Sequence, residues 1–329
     1  MSLANTDEER QMAEVATRLF ADHAPPSRLR RYRDEHDAHA YDRGLWAKLV
    51  ELGFLDSALS LAERCVLAEA AGSVLATEPL GVSWFAMDLM GPGERLVTVA
   101  HEPMSRRPAV VSSLDHLVRR NVAHAVSADV TLFTQMKGDE VSLFEVAAGH
   151  EALKVEAQQR VDLHPAAIVS VDSTRLPPPV SLPAKAYDRA LDRATVVLCA
   201  EMLGGAQRAF ELTLDYLKTR RQFGVLIGSF QALQHRAARL FVELALTRSA
   251  VSAAARADDN TLAVLTSVAK ARCGETFLRV AEEAIQLHGG IGMTDEHDIG
   301  LYLKRAMVTE HLLGNGDEHR RRFARLSGF

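Results

Sequence analysis

Apolar positions recur along this chain at two different periods, and the change of period divides it into three parts. In residues 6–24, Met12, Val15, Leu19 and Phe20 fall on one helical face, with Asp7, Glu8 and Glu9 at the amino end, where the helix dipole favours negative charge. A second helix is predicted over residues 45–52, stopped by Gly53, and a third over residues 61–75. Beyond Leu80 prolines, glycines and β-branched residues gather, and VTLFTQM (130–136) and EVSLFEVAAG (140–149) read as short strands. The stretch RLPPPVSLP (175–183) continues neither a helix nor a central strand, because each proline lacks an amide donor, and marks a connector. Helical periodicity then returns over residues 192–220, 231–257, 262–287 and 296–313, a pattern that predicts a bundle of four helices. The expected fold class is mainly α with a small β domain. It divides into an N-terminal helical region (1–79), a reduced β domain (80–184) and a C-terminal four-helix bundle (185–329).

Composition agrees with this division and removes several classes of function. The 329 residues are 47% hydrophobic and 25% charged, ordinary for a globular protein, and only 6% aromatic while alanine and leucine recur, which favours helix. A net charge of −5 offers no broad surface to a phosphate backbone, so nucleic acid is not an expected partner, although arginines cluster at 28–33 and 320–325. No apolar run approaches the roughly 20 residues that span a bilayer. The first ten residues are polar and acidic rather than a signal peptide, so no membrane association and a cytoplasmic location are expected. Cys65, Cys199 and Cys273 lie far apart without a CxxC pair and read as buried thiols. His288, His297, His311 and His319 recur near helical spacing, but no paired carboxylates accompany them; they read as solvated helix histidines, with no metal.

Two stretches carry candidate chemistry. Arg220-Arg221-Gln222-Phe223-Gly224-Val225-Leu226-Ile227-Gly228-Ser229-Phe230-Gln231 links two long helices. Its arginine fork can grip a diphosphate, Gln222, Gln231 and the next helix start can supply donors, and Phe223 can pack a ring; a plain interhelical turn fits the pattern too. Gln286-Leu287-His288-Gly289-Gly290-Ile291-Gly292 ends a helix in glycines, which either let a phosphate approach main-chain amides or simply cap the helix.

Together and in this order, the two stretches resemble the RxxFGxxIxxFQ loop and QxxGGxGxxxE segment of the acyl-CoA dehydrogenase family. The order of helical region, β region and bundle is similar to that family as well. The resemblance implies a FAD-dependent enzyme that desaturates an acyl-CoA thioester between its α and β carbons and passes electrons to an electron-accepting flavoprotein. It implies that Arg220 and Gln231, eleven residues apart, bind the FAD diphosphate and adenosine, and that Gln286, Gly289 and Gly290 contact the flavin nucleotide of a neighbouring subunit. A dimer or tetramer follows from that sharing.

The chain departs from the family where the base belongs. The usual glutamate position, in a YEG-like triplet, falls on Leu313, and a second family position falls on Ala194; neither side chain takes a proton. Glu201 stands seven residues after Ala194, on the same helical face among Leu198, Cys199, Met202 and Leu203. Burial on that stripe would raise its pKa into the range of a working base; a glutamate bridging within the bundle is the alternative. The family's flavin-contacting TEPxAGSD becomes residues 101–105, HEPMS, its WITNG-like segment aligns loosely with residues 121–125, and the Thr and Gln after the triplet become Asn315 and Asp317. Two readings follow: an acyl-CoA dehydrogenase with Glu201 as base, or a non-catalytic partner subunit that completes the FAD site of a heteromeric acyl-CoA dehydrogenase.

Overall fold

A computed structural model of the chain describes residues 4–101 and 116–329. Among these, five helices come first: α1 (Asp7–His23), α2 (Ser27–Asp34), α3 (Arg43–Glu51), α4 (Leu61–Ser73) and α5 (Leu80–Met90). Strands follow: β1 (Val97–Ala100), β2 (His116–Ala123), β3 (Val130–Lys137), β4 (Glu140–Ala147), β5 (Leu153–Gln158), β6 (Ala166–Asp172) and β7 (Val180–Pro183). The remainder is α6 (Ala184–Thr219), the short pair β8 (Arg221–Gln222) and β9 (Val225–Leu226), then α7 (Gln231–Ala255), α8 (Leu262–His288), α9 (Ile299–His311) and α10 (Gly316–Leu326). No helix of the described residues is long and apolar enough to cross a membrane.

The chain folds into two compact units, the first made of Met1–Ser27, Ser60–Ala76 and Thr195–Phe329. Its helices start where sequence chemistry places caps: Thr6 and Glu9 form a reciprocal capping box on α1, Ser60 and Glu63 on α4, and Asn315 and Glu318 on α10. Where α4 crosses α6, a Cβ on Gly72 would stand 2.1 Å from the Glu201 carbonyl oxygen, and one on Gly204 would stand 2.0 Å from that of Glu69. Only glycine permits so close a crossing. α7 and α8 run antiparallel, tied by Arg236–Glu283, Arg272–Glu243 and a buried Thr247–Thr276 hydroxyl pair. Cys65, Cys199 and Cys273 are all buried, as thiols in helical apolar stripes should be.

The second unit comprises Arg28–Leu59 and Thr77–Ala194. Its strands form one sheet in the order β1-β3-β4-β7, parallel only between β1 and β3, and another in the order β2-β6-β5. Leu117, Val122, Phe133, Val169 and Val171 form its core. Trp84 donates its indole N–H to the Phe54 carbonyl (2.9 Å), and Arg28 pairs with fully buried Glu78 (2.8 Å).

Several elements differ from the periodicity reading. Residues 80–90, expected in the β region, form α5, whose apolar composition leaves no polar face to mark a helix. α2 and α10 are short and dominated by charge, so the few apolar side chains they carry, such as Leu29 and Tyr32 on α2, are too few to mark a helix in the sequence. Within the proline connector, β7 is an edge strand paired only with β4, and Pro183 ends it, which is where proline's missing donor is tolerated.

Candidate functional site

The linker after α6 is built rather than loose. β8 and β9 pair as a hairpin, Arg221 opposite Leu226 and Gln222 opposite Val225, joined by Phe223 and Gly224 at φ +52° and +81°. Two positive φ values in a two-residue loop make a type I′ turn. Glycine suits that conformation; phenylalanine is strained in it, yet it stands at the tip 91% exposed. Gly228 lies against α6, where a Cβ would approach the Leu217 carbonyl oxygen to 2.7 Å. No side chain caps the start of α7, so its first amides stay open beside Gln231. Arg220, Gln222 and Gln231 are exposed, and Arg220 makes no ion pair among the described residues.

The glycine segment lies at the end of α8. Gly289 leaves the helix at φ +62°, and a Cβ on it or on Gly290 would meet nothing within 4 Å, so open space faces both; Gln286 is exposed one turn earlier. The antiparallel pairing of α7 and α8 brings the Gln231 end of one helix beside the Gln286 end of the other. Tyr216, in the last turn of α6, stacks on His288 at 4.6 Å, and His297 packs on the same ring at 4.5 Å. Arg220, Gln222, Phe223, Gln231, Gln286, Gly289 and Gly290 are thereby gathered at one end of the first unit. An exposed guanidinium, uncapped helix amides and open glycines are donors that fit the phosphates of a nucleotide such as FAD.

Two of the four histidines are not solvated. His288 is 2% exposed and His319 1% exposed. His288 donates Nδ1–H to the Ala284 carbonyl (2.7 Å), and His319 donates Nε2–H to the Leu313 carbonyl (3.0 Å). Each keeps its second ring nitrogen buried without a hydrogen bond. Burial therefore pushes both below the usual imidazole range, His319 to about 4.

Glu201 does not stand alone on an apolar stripe. Its carboxylate accepts from Arg305 Nε on α9 (2.9 Å) and from the same guanidinium's terminal nitrogen, and Arg305 is 7% exposed. The bridging alternative describes this glutamate. It also lies about 27 Å along α6 from Thr219, at 1.5 Å per residue, and so is not among the residues gathered with Arg220.

The turn after α9 is held by a residue of α8 that sequence reasoning missed. Lys270 is fully buried and donates from Nζ to the carbonyls of Glu310 (2.8 Å) and Gly314 (2.7 Å), closing the carboxyl end of α9. Burial lowers its pKa. Its signal was its place on the buried stripe Thr266, Ala269, Lys270, Cys273 of α8, where an unpaired ammonium is untenable. Between these bonds Leu313 sits at φ +55°. Asp317 turns outward to Arg320 (3.0 Å) instead of inward. Residues 102–105 of the HEPMS stretch lie outside the described residues; residues 121–125 close β2, with Ala125 buried.

Residues 185–327 match the family description "Acyl-CoA dehydrogenase, C-terminal domain". Over 336 aligned residues, covering 96% of each chain, the protein is 31% identical to Acyl-CoA dehydrogenase IpdE2 of Mycobacterium tuberculosis H37Rv. Among solved structures it is similar to the ChsE4-ChsE5 complex from Mycobacterium tuberculosis, with a TM-score of 0.86 and 23% identity over 100% of this chain and 99% of that one. It is also similar to a variant of the Tcur3481-Tcur3483 steroid ACAD, with a TM-score of 0.84 and 27% identity over 98% of each chain.

Proposed function

We propose, from the premise that this chain belongs to the acyl-CoA dehydrogenase family, that it is the partner subunit of a heteromeric acyl-CoA dehydrogenase. In this reading it supplies nucleotide-binding residues to a shared FAD, and a second, unlike chain supplies the base. The observation that carries this is Glu201 locked to Arg305, with Leu313 and Ala194 at the two positions where the family resemblance places a glutamate. A carboxylate that takes an α-proton works best in an apolar site with no cation beside it, whereas Glu201 holds two nitrogens of a buried guanidinium on its Oε1, which favours its charged, weakly basic form.

Arg220 would grip the FAD diphosphate, the start of α7 with Gln222 and Gln231 would donate to the nucleotide, and Gln286, Gly289 and Gly290 would contact flavin nucleotide across the subunit boundary. Phe223 would pack against the partner chain or the nucleotide. Bound FAD supplies the acceptor for the hydride that leaves the substrate's β carbon. The exposed apolar side chains beside the two stretches, Phe223, Phe230 and Met293 among them, support a protein partner on this side of the unit. The likeness to ChsE4-ChsE5, a complex of two different chains, supports an unlike partner, and the steroid ACAD likeness supports a bulky acyl group.

The test is to purify the chain alone, record its flavin absorbance and add acyl-CoA thioesters of varied bulk with an electron-accepting dye. The partner reading expects no dye reduction. Turnover by the chain alone, abolished in Glu201→Gln, would establish instead the self-sufficient dehydrogenase with Glu201 as base.

A further inference from the structure

The two stretches of the candidate site are joined by rings that have no part in the proposed function. Tyr216 belongs to the last turn of α6, where its carbonyl accepts the Arg220 amide (2.9 Å), and Leu217 beside it backs the loop at Gly228. His288 is the last residue of α8, immediately before Gly289. His297 precedes α9, and its Nδ1 accepts the amide of Ile299, the first residue of that helix (3.2 Å). The His288 ring lies 4.6 Å from that of Tyr216, inclined by 29°, and 4.5 Å from that of His297, inclined by 53°. One imidazole therefore meets the ends of α6 and α8 and the approach to α9, all within the first unit.

The surroundings of His288 fix its ring. Its Nδ1–H donates to the Ala284 carbonyl one turn back in α8. A Cβ on Gly292 would stand 3.1 Å from the His288 Cβ and 2.9 Å from the Ile285 carbonyl oxygen, so the turn folds onto the histidine as only glycine permits. Burial, with His297 beside it, lowers the pKa of the imidazole and keeps the ring neutral at neutral pH. Its buried Nε2 makes no hydrogen bond among the described residues. A leucine would fill this space without burying an unpaired nitrogen. What it would lack is a flat face for Tyr216 to stack on.

We infer that His288 is a positioning residue for the nucleotide site: packed on Tyr216 and His297, it locks the arginine loop and the glycine turn into one rigid piece, so that Arg220 and the segment from Gln286 to Gly290 are held in a fixed relation before nucleotide arrives. The inference rests on the proposed reading of both stretches as nucleotide-binding.

Hydrogen–deuterium exchange and calorimetric titration with ADP, both on the full chain, test it. His288→Asn keeps a donor for the Ala284 carbonyl but has no ring, and Tyr216→Leu removes the other ring. Each is expected to speed exchange both in the hairpin, residues 220–227, and in the turn, residues 289–294, by about threefold to tenfold, the worth of one aromatic pair, and to weaken ADP binding by a similar factor. Tyr216→Phe keeps the ring and should match the parent in both measurements. Faster exchange confined to the altered element, or Tyr216→Phe as impaired as Tyr216→Leu, overturns the inference. Arg220→Gln separates its failure from that of the reading beneath it. If the parent binds no ADP up to about 5 mM, or Arg220→Gln binds it equally well, the nucleotide site itself fails and the positioning role with it. If Arg220→Gln weakens ADP binding and His288→Asn does not, only the positioning role fails.

Discussion

Replacing Glu201 by glutamine tests the ion pair with Arg305 on which the partner-subunit reading rests. The substitution keeps the shape of the side chain but takes the negative charge from a guanidinium whose side chain is only 8% exposed, while that of Glu201 is 25% exposed. Breaking a fully buried pair costs about 3–5 kcal/mol; the partial exposure of Glu201 lowers this to about 2 kcal/mol. For a chain of this size, that corresponds to a melting temperature about 4 °C lower. Arg305→Met should cost a similar amount. The double variant, Glu201→Leu with Arg305→Met, should recover much of the loss, because two apolar side chains of similar volume leave no charge in the core. Thermal unfolding of the parent, Glu201→Leu, Arg305→Met and the double variant, followed by circular dichroism, measures the cycle, with Glu201→Gln alongside as the isosteric control. A shift below about 1 °C in Glu201→Gln, or single losses that simply add in the double variant, would refute the claim that the pair is a structural bridge.

Three further outcomes follow from the same geometry. His319 is held to about 4, against an ordinary value of 6.5, so the unfolded chain gains a proton on it before the folded chain does. Its stabilising contribution is complete above about pH 6.5 and is lost as pH falls to about 4, at most about 3 kcal/mol, with lowered His288 acting in the same direction; His319→Gln should flatten a denaturant-midpoint profile across that window. Phe223→Asn relieves a left-handed phenylalanine and should raise the stability of the isolated chain by up to about 1 kcal/mol, while sedimentation with the partner chain shows weaker assembly. Gly204→Ala puts a methyl group 2.0 Å from the Glu69 carbonyl oxygen and should cost more than about 3 kcal/mol, seen as loss of soluble protein or a collapsed melting temperature, whereas Gly53→Ala meets nothing and carries only the strain of its positive φ.

Much of this protein is determined by its sequence taken alone. The long helices, the VTLFTQM and EVSLFEVAAG strands and the two glycine-bearing stretches at the ends of α6 and α8 are legible because each depends on spacing within one element: apolar periodicity, proline and glycine punctuation, a cap three residues from its partner. What only the tertiary structure decided are the pairings between distant elements. Nothing local announces that Glu201 meets Arg305, 104 residues on, or that Lys270 closes the end of α9 through carbonyls 40 and 44 residues away. α5 shows no amphipathic signal because it is apolar on all sides, and His288 and His319 look like surface residues until the helices around them are packed. A periodic stripe needs only some apolar surface to cover it, and many surfaces serve. A buried charge or imidazole needs one particular partner at about 3 Å, and which residue that is depends on how the whole chain packs.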